Sequence, residues 1–185
     1  RHPLDKEFLV LDLATGSADQ PIVVVDMARQ LNVKIKVVAL DINSKMLNYA
    51  HEKIRAYPEI HLVQGDIHSP PFGENSFDVV MNSLSLHHFT RIQAVNILRM
   101  ADLVSRSGFI INDLHRSRIA HAFILILTRL VTKNRLTRHD APVSVMNAFT
   151  PSEMAEMAQE AGVKCFTVNR HFPYRIGLVS TRKDY

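Results

Sequence analysis

The chain has 185 residues, 46% hydrophobic and 22% charged, a length and composition ordinary for one globular domain with a substantial core. A single cysteine, Cys165, excludes an intrachain disulfide and fits a reducing cytoplasm. No apolar run approaches the roughly 20 residues of a membrane-spanning helix, the start RHPLDKE has no signal-peptide core, and the formal charge of +4 says little until its distribution is considered.

In chain order, Phe8–Leu13 is the first predicted strand, an apolar run ending in the small-residue turn Ala14-Thr15-Gly16-Ser17-Ala18-Asp19. A helix is expected over Gln20–Leu31, with Asp19 as its cap and Pro21 in the tolerant first turn. Lys36–Leu40 is the second strand, delivering Asp41; Ser44–Ala56 is the second helix, and Ile60–Gln64 the third strand, ending at Gly65-Asp66. The loop Ser69-Pro70-Pro71 leads through Gly73-Glu74-Asn75 to a fourth strand at Phe77–Asn82. An amphipathic helix over Arg91–Ser105 and a fifth strand at Gly108–Asn112 come next.

From there to Phe149 the sequence is basic and helix-rich. Between His115 and His139 it carries Arg116, Arg118, Arg129, Lys133, Arg135 and Arg138 without an acid. Such a run is a solvated basic face, or one that attracts an anionic substrate, a membrane surface or nucleic acid. Inside it, Ile119–Leu127 reads apolar all round, which predicts a buried helix or a contact between two copies of the chain, with a greasy wall for an acceptor as the sharper reading. Thr150-Pro151-Ser152-Glu153 is a capping box that starts a helix to Ala161, stopped by Gly162. Val163–Asn169 and Tyr174–Thr181 then form an expected antiparallel pair joined through His171-Phe172-Pro173. Met146, Met154 and Met157 are expected to fill core gaps. Strands alternating with helices give an α/β fold with a largely parallel sheet.

Chemistry concentrates where the first strand turns. A strand, a tight small-residue turn, a helix and a second strand ending on Asp41 make a unit that receives an adenosine-containing cofactor, with the carboxylate placed for ribose hydroxyls. A dinucleotide site wants G-x-G-x-x-G around a pyrophosphate. Here Asp19 takes the third glycine position and would repel phosphate. A cofactor carrying a sulfonium and an amino group, as S-adenosylmethionine does, welcomes Asp12 and Asp19 beside the turn.

Five segments, taken together and in order, resemble class I S-adenosylmethionine-dependent methyltransferases, above all the branch of ubiquinone/menaquinone C-methyltransferases and related small-molecule enzymes. They are LDLATGSAD, VVALDIN, QGDIHSPPFGENSFDVVMNSLSLHHF, SGFIINDLHRS and AFTPSEMAEMAQEAGV. NDLHRS and RLTRHDAPVS are also similar to methyltransferases of polyketide-type pathways. The resemblance implies a Rossmann-like, doubly wound, seven-stranded sheet, mostly parallel with an antiparallel terminal strand, in a single domain over 1–185. It places Ala14, Thr15 and Gly16 under the methionine part, with Asp12 near the ammonium. Asp41 would hold the ribose, Ile42 the adenine face and Asp66 the adenine amino group, with Ile67 alongside. Asn82 and Ser83 would line the methionine or the transfer site. The sequence departs from the family at Ala14 and Ala18, where glycines are usual, and an N-terminal lid segment of the family is expected to be missing ahead of Arg1. The helix-rich stretch 115–149 is expected to cover the substrate side.

The expected reaction is methyl transfer from S-adenosylmethionine, leaving S-adenosylhomocysteine, to oxygen or carbon of a small, largely apolar or aromatic acceptor. If that acceptor must lose a proton, His87, His88 and Asp113 are the best-placed groups, followed by His115 and the pair His139-Asp140. Each has a structural alternative: His87 and His88 packing on Phe89, Asp113 capping the next helix, His139-Asp140 forming a surface turn. No metal is expected, since no histidine pair at helical spacing joins a carboxylate; the alternative is Mg²⁺ held at the strand ends by Asn82, Asn112 and Asp113. Nucleic acid is not an expected substrate, because Asn82-Ser83-Leu84-Ser85 lacks the residues that grip a flipped base. The alternatives carried are a catalytically silent S-adenosylmethionine-binding module and an NAD-type oxidoreductase.

Overall fold

The computed structural model describes residues 7–132 and 134–182. Its elements are β1 (Phe8–Leu13), α1 (Asp19–Gln30), β2 (Ile35–Asp41), α2 (Ser44–Lys53), β3 (Ile60–Gln64), β4 (Val79–Ser83), α3 (Arg91–Val104), β5 (Phe109–Leu114), α4 (Arg118–Val131), α5 (Arg135–Asn147), α6 (Pro151–Glu160), β6 (Phe166–His171) and β7 (Arg175–Ser180). The strands form one seven-stranded sheet in the order β3-β2-β1-β4-β5-β7-β6. β1 to β5 pair in parallel, and β7 runs antiparallel between β5 and β6. The expected mostly parallel, doubly wound sheet is therefore present. Its order reverses between β1 and β4, which opens a crevice at the carboxyl ends of those strands.

Alternation along β1 divides the core. Leu11 and Leu13 face a cluster with Val80, Leu98, Phe109, Met154 and Met157, whereas Val10 joins Val25, Val37, Ala50 and Ile60 on the other face. Helices α3 and α6 start on full capping boxes, Thr90 with Gln93 and Thr150 with Glu153, and Pro151 follows the second cap. At Gly108 the backbone has φ 129°, and an added Cβ would stand 2.1 Å from the carbonyl oxygen of Ser180. Only glycine lets β5 begin that close to the end of β7.

Several expectations are corrected. Asp19 is the first residue of α1 and not its cap; the cap is Ala18, at φ 59° and without a side-chain hydrogen bond. The Asp19 carboxylate instead pairs with Lys53 and accepts from the Ser17 hydroxyl, so it lies outside the crevice chemistry. β4 starts at Val79, because Phe77 only bridges Ser105 and the Asp78 carboxylate accepts from the Leu9 N–H at 2.8 Å and from Arg106 at 3.2 Å. α4 is not the expected buried helix: Ala120 and Thr128 are buried, but the apolar Ile119, Phe123, Ile126 and Leu130 are exposed. Met154 and Met157 fill core gaps, but Met146 is exposed. Of the basic run, Lys133 lies outside the described residues. Among the described residues no helix is long and apolar enough to cross a membrane.

Candidate functional site

The turn after β1 carries three left-handed residues in alternation, Ala14 at φ 57°, Gly16 at φ 57° and Ala18 at φ 59°. This winding points backbone N–H groups inward. Thr15 N–H donates to the Leu40 carbonyl at 3.0 Å, and Gly16 N–H donates to Asp41 Oδ2 at 2.7 Å. The other Asp41 oxygen accepts from Asn43 N–H at 2.8 Å. Both oxygens are thereby fixed in orientation, and each keeps acceptor capacity for a further donor. Beneath the turn Asp12 is almost fully buried, and burial, reinforced by the charge of Asp41, pushes its carboxyl up to about 7.

Beside Asp41 opens a cleft of about 210 Å³. Ala14, Asp41, Ile42, Asp66 and Ile67 line it, together with Leu40, Gly65, His68 and Phe89. Asp66 Oδ1 accepts from the His68 backbone N–H and meets its ring Nδ1, each at 2.9 Å. The backbone bond first, then the ring, hold that carboxyl below the usual range. The His68 ring stands edge-on to Phe89, with centroids 5.2 Å apart. The walls are thus apolar above and below, with carboxylates at the rim. Sequence reasoning missed His68 and Phe89. His68 carried a readable signal, two residues after a strand-end aspartate, but Phe89 reaches the cleft only through tertiary folding.

A second group gathers at the ends of β4 and β5. Asn82 Nδ2 donates to the Leu13 carbonyl and to Ser85 Oγ, both at 2.6 Å, while its Oδ1 is buried without a partner. Asn112 Nδ2 donates to Ser83 Oγ at 3.1 Å, so Asn82, Asn112 and Asp113 are engaged with protein groups. His87 and Asp113 form a buried pair, Nδ1 to Oδ1 at 2.6 Å, with the His87 N–H donating to Oδ2 at 2.9 Å. An ionised carboxylate only accepts hydrogen bonds, so against one the imidazole Nδ1 is the donor. Helix α4 is capped by Ser117, so Asp113 does not serve as its cap.

His88 is exposed and its ring lies 4.1 Å from that of His87; burial and then the neighbouring His87 hold it below the usual histidine range. His115 is likewise lowered, by burial and by Arg170. His139 and Asp140 sit exposed on α5, 3.2 Å apart, and take no part in the crevice. α5 does pack against the turn at Leu86–His88, over the end of β4. The structure therefore brings the predicted residues into two neighbouring sets: Ala14, Asp41, Ile42, Asp66 and Ile67 around the cleft, and Asn82, Ser83, His87 and Asp113 at the adjoining strand ends.

Residues 10–108 match the family model described as methyltransferase domain. A demethylmenaquinone methyltransferase of Lactobacillus johnsonii is 38% identical over 81 residues, covering 42% of this chain and 32% of that protein. One from Thermotoga maritima is 26% identical over 168 residues, covering 83% of this chain and 69% of that protein. The chain thus spans about a third of the Lactobacillus relative. A SAM dependent methyltransferase structure from Aquifex aeolicus superposes with a TM-score of 0.67 at 17% identity, covering 96% of this chain and 84% of that one, a likeness of fold.

Proposed function

This chain belongs to the methyltransferase domain family, and from that premise we propose that it transfers a methyl group from S-adenosylmethionine to a small, largely apolar or aromatic acceptor at oxygen or carbon. The observation that carries the reading is the donor-poor, acceptor-rich cleft. Asp41 and Asp66 present carboxylates to it, Asp12 lies buried beneath the adjoining turn, and Asn82 Oδ1 at the neighbouring strand end is a buried acceptor with no donor. A ligand rich in N–H and O–H donors and carrying positive charge fits that set; a pyrophosphate does not. The same chemistry disfavours the NAD-type alternative.

In this reading Asp41 holds the ribose hydroxyls, Ile42 and Ile67 clamp the adenine, and Asp66 takes its amino group. Ala14, Thr15 and Gly16 lie under the methionine part, with Asp12 near the ammonium and Asn82 and Ser83 beside it. A cleft of about 210 Å³ is smaller than the roughly 300–1,000 Å³ of pockets for whole drug-sized ligands, so it suits the nucleoside portion alone. Bound there, the cofactor supplies a methyl group already activated by its sulfonium. The protein's remaining tasks are to align the acceptor, exclude water and, for a phenol or ring carbon, take a proton. His87, with Nδ1 locked on Asp113, offers Nε2 for that proton, and the His88 ring lies tilted beside it. Relatives named demethylmenaquinone methyltransferase support an aromatic, quinol-like acceptor.

Calorimetry tests the first half. S-adenosylhomocysteine should bind in the micromolar range, about −8 kcal/mol, and NADH should give no heat. Asp41→Ala should weaken S-adenosylhomocysteine at least about tenfold. Saturation by NADH with no heat from S-adenosylhomocysteine would reject the reading. For the second half, methyl transfer to a panel of phenols and quinols should be detectable. His87→Gln should lower kcat by about 10²-fold or more, with KM little changed. Tight cofactor binding with no turnover on any acceptor would favour the silent module instead.

A further inference from the structure

We infer that the edge formed by α4 and the β6–β7 hairpin seats on an anionic lipid surface. Two separate elements put large apolar side chains into solvent on this edge. Along α4, Ile119, Phe123, Ile126 and Leu130 recur at helical spacing as an exposed stripe, with Leu130 80% accessible. At the hairpin tip Phe172 is 96% accessible and Tyr174 is also exposed. The two are joined, because the His115 N–H, just ahead of α4, donates to the Tyr174 carbonyl at 2.9 Å. Register Leu114 to Arg175 sets the tip at the carboxyl end of β5, the end of the sheet where the crevice opens.

Cations flank these side chains: Arg118 and Arg129 on α4, Arg138 on the adjoining α5 beside the acid Asp140, and Arg170 at the hairpin. Arg118 and Arg129 are exposed and stand three turns apart on one flank of α4, and Arg170 and His171 are exposed beside the hairpin tip. Protruding aliphatic and aromatic side chains flanked by cations are the pattern of a helix lying in a headgroup layer. A second copy fits poorly: a two-fold interface would set these cationic flanks against themselves. Nucleic acid would answer the cations and leave the apolar stripe uncovered.

Sedimentation of the full chain with vesicles is the test. Phosphatidylcholine vesicles containing phosphatidylglycerol should bind it at least about tenfold more tightly than phosphatidylcholine alone, and high salt should weaken that binding. The sequence has no tryptophan, so Phe123→Trp and Phe172→Trp report locally, and both should shift their emission to the blue on the anionic vesicles. Phe123→Glu with Ile126→Glu should weaken binding at least about tenfold at an unchanged unfolding temperature. Should that pair unfold, Arg118→Glu with Arg129→Glu on the helix flank serves in its place and should give a loss of similar size. Absence of binding, equal binding to neutral vesicles, or unshifted emission overturns the inference. So does a dimer in light scattering that the glutamate pair dissociates while vesicles are ignored.

Discussion

Asp12 is a carboxyl whose burial sets it to titrate near neutrality, about 7 against an ordinary 3.8. Between those values the folded chain binds more protons than the unfolded one, so stability falls as pH rises through the window, by at most about 1.4 kcal/mol per unit, and is level above it. Asp12→Asn should flatten that slope in urea melts taken from pH 4 to pH 8, and should gain a few kcal/mol over the parent at the upper end. A bound ammonium favours the ionised form. Affinity for S-adenosylhomocysteine should therefore climb from pH 6 to 8, with proton release visible as a dependence of binding heat on buffer. Ala14 makes a second case at this scale. Held at φ 57°, it should accept glycine with a gain of about 1 kcal/mol in chemical denaturation. Asp41 and Asp66 were legible because strand-end carboxylates follow an apolar run. The burial of Asp12 and the His87–Asp113 bond were not, since both depend on residues distant in the chain that meet only in the folded sheet.

Elements whose signal is local were read closely: β1 and β3 have the predicted bounds, and the capping box at Thr150 forms. Thr150→Ala should cost about 1 kcal/mol, measured by thermal unfolding, because it leaves the Glu153 N–H of α6 without its acceptor. Where a tertiary partner decides, local reading slipped. β4 gave up two residues to the Asp78 carboxylate, and the apolar run of α4 leaves Ile119, Phe123 and Ile126 exposed where its composition alone predicted burial. Gly108 shows the same dependence from the other side. Its need for glycine comes from Ser180, more than seventy residues on, and Gly108→Ala should destabilise by roughly 3 kcal/mol or more in urea.

Across the whole molecule, charge is segregated. The residues outside 115–139 and 161–183 hold all 18 acids and eleven Lys and Arg, so the chain's net positive charge comes from those two stretches. The chain should therefore elute from a cation exchanger later than a protein with its +4 spread evenly, and removing Arg118 and Arg129 should advance it disproportionately. Strand order adds a consequence for synthesis. β7 occupies an interior place between β5 and β6, yet every other strand precedes it in the chain. While the polypeptide emerges, β5 waits with one flank of amides and carbonyls unpaired and with Phe109 and Ile111 lacking the cover of Ile176 and Leu178. Nascent chains halted before residue 175 should accordingly pellet or recruit holdases, and become soluble once those last few residues clear the ribosome.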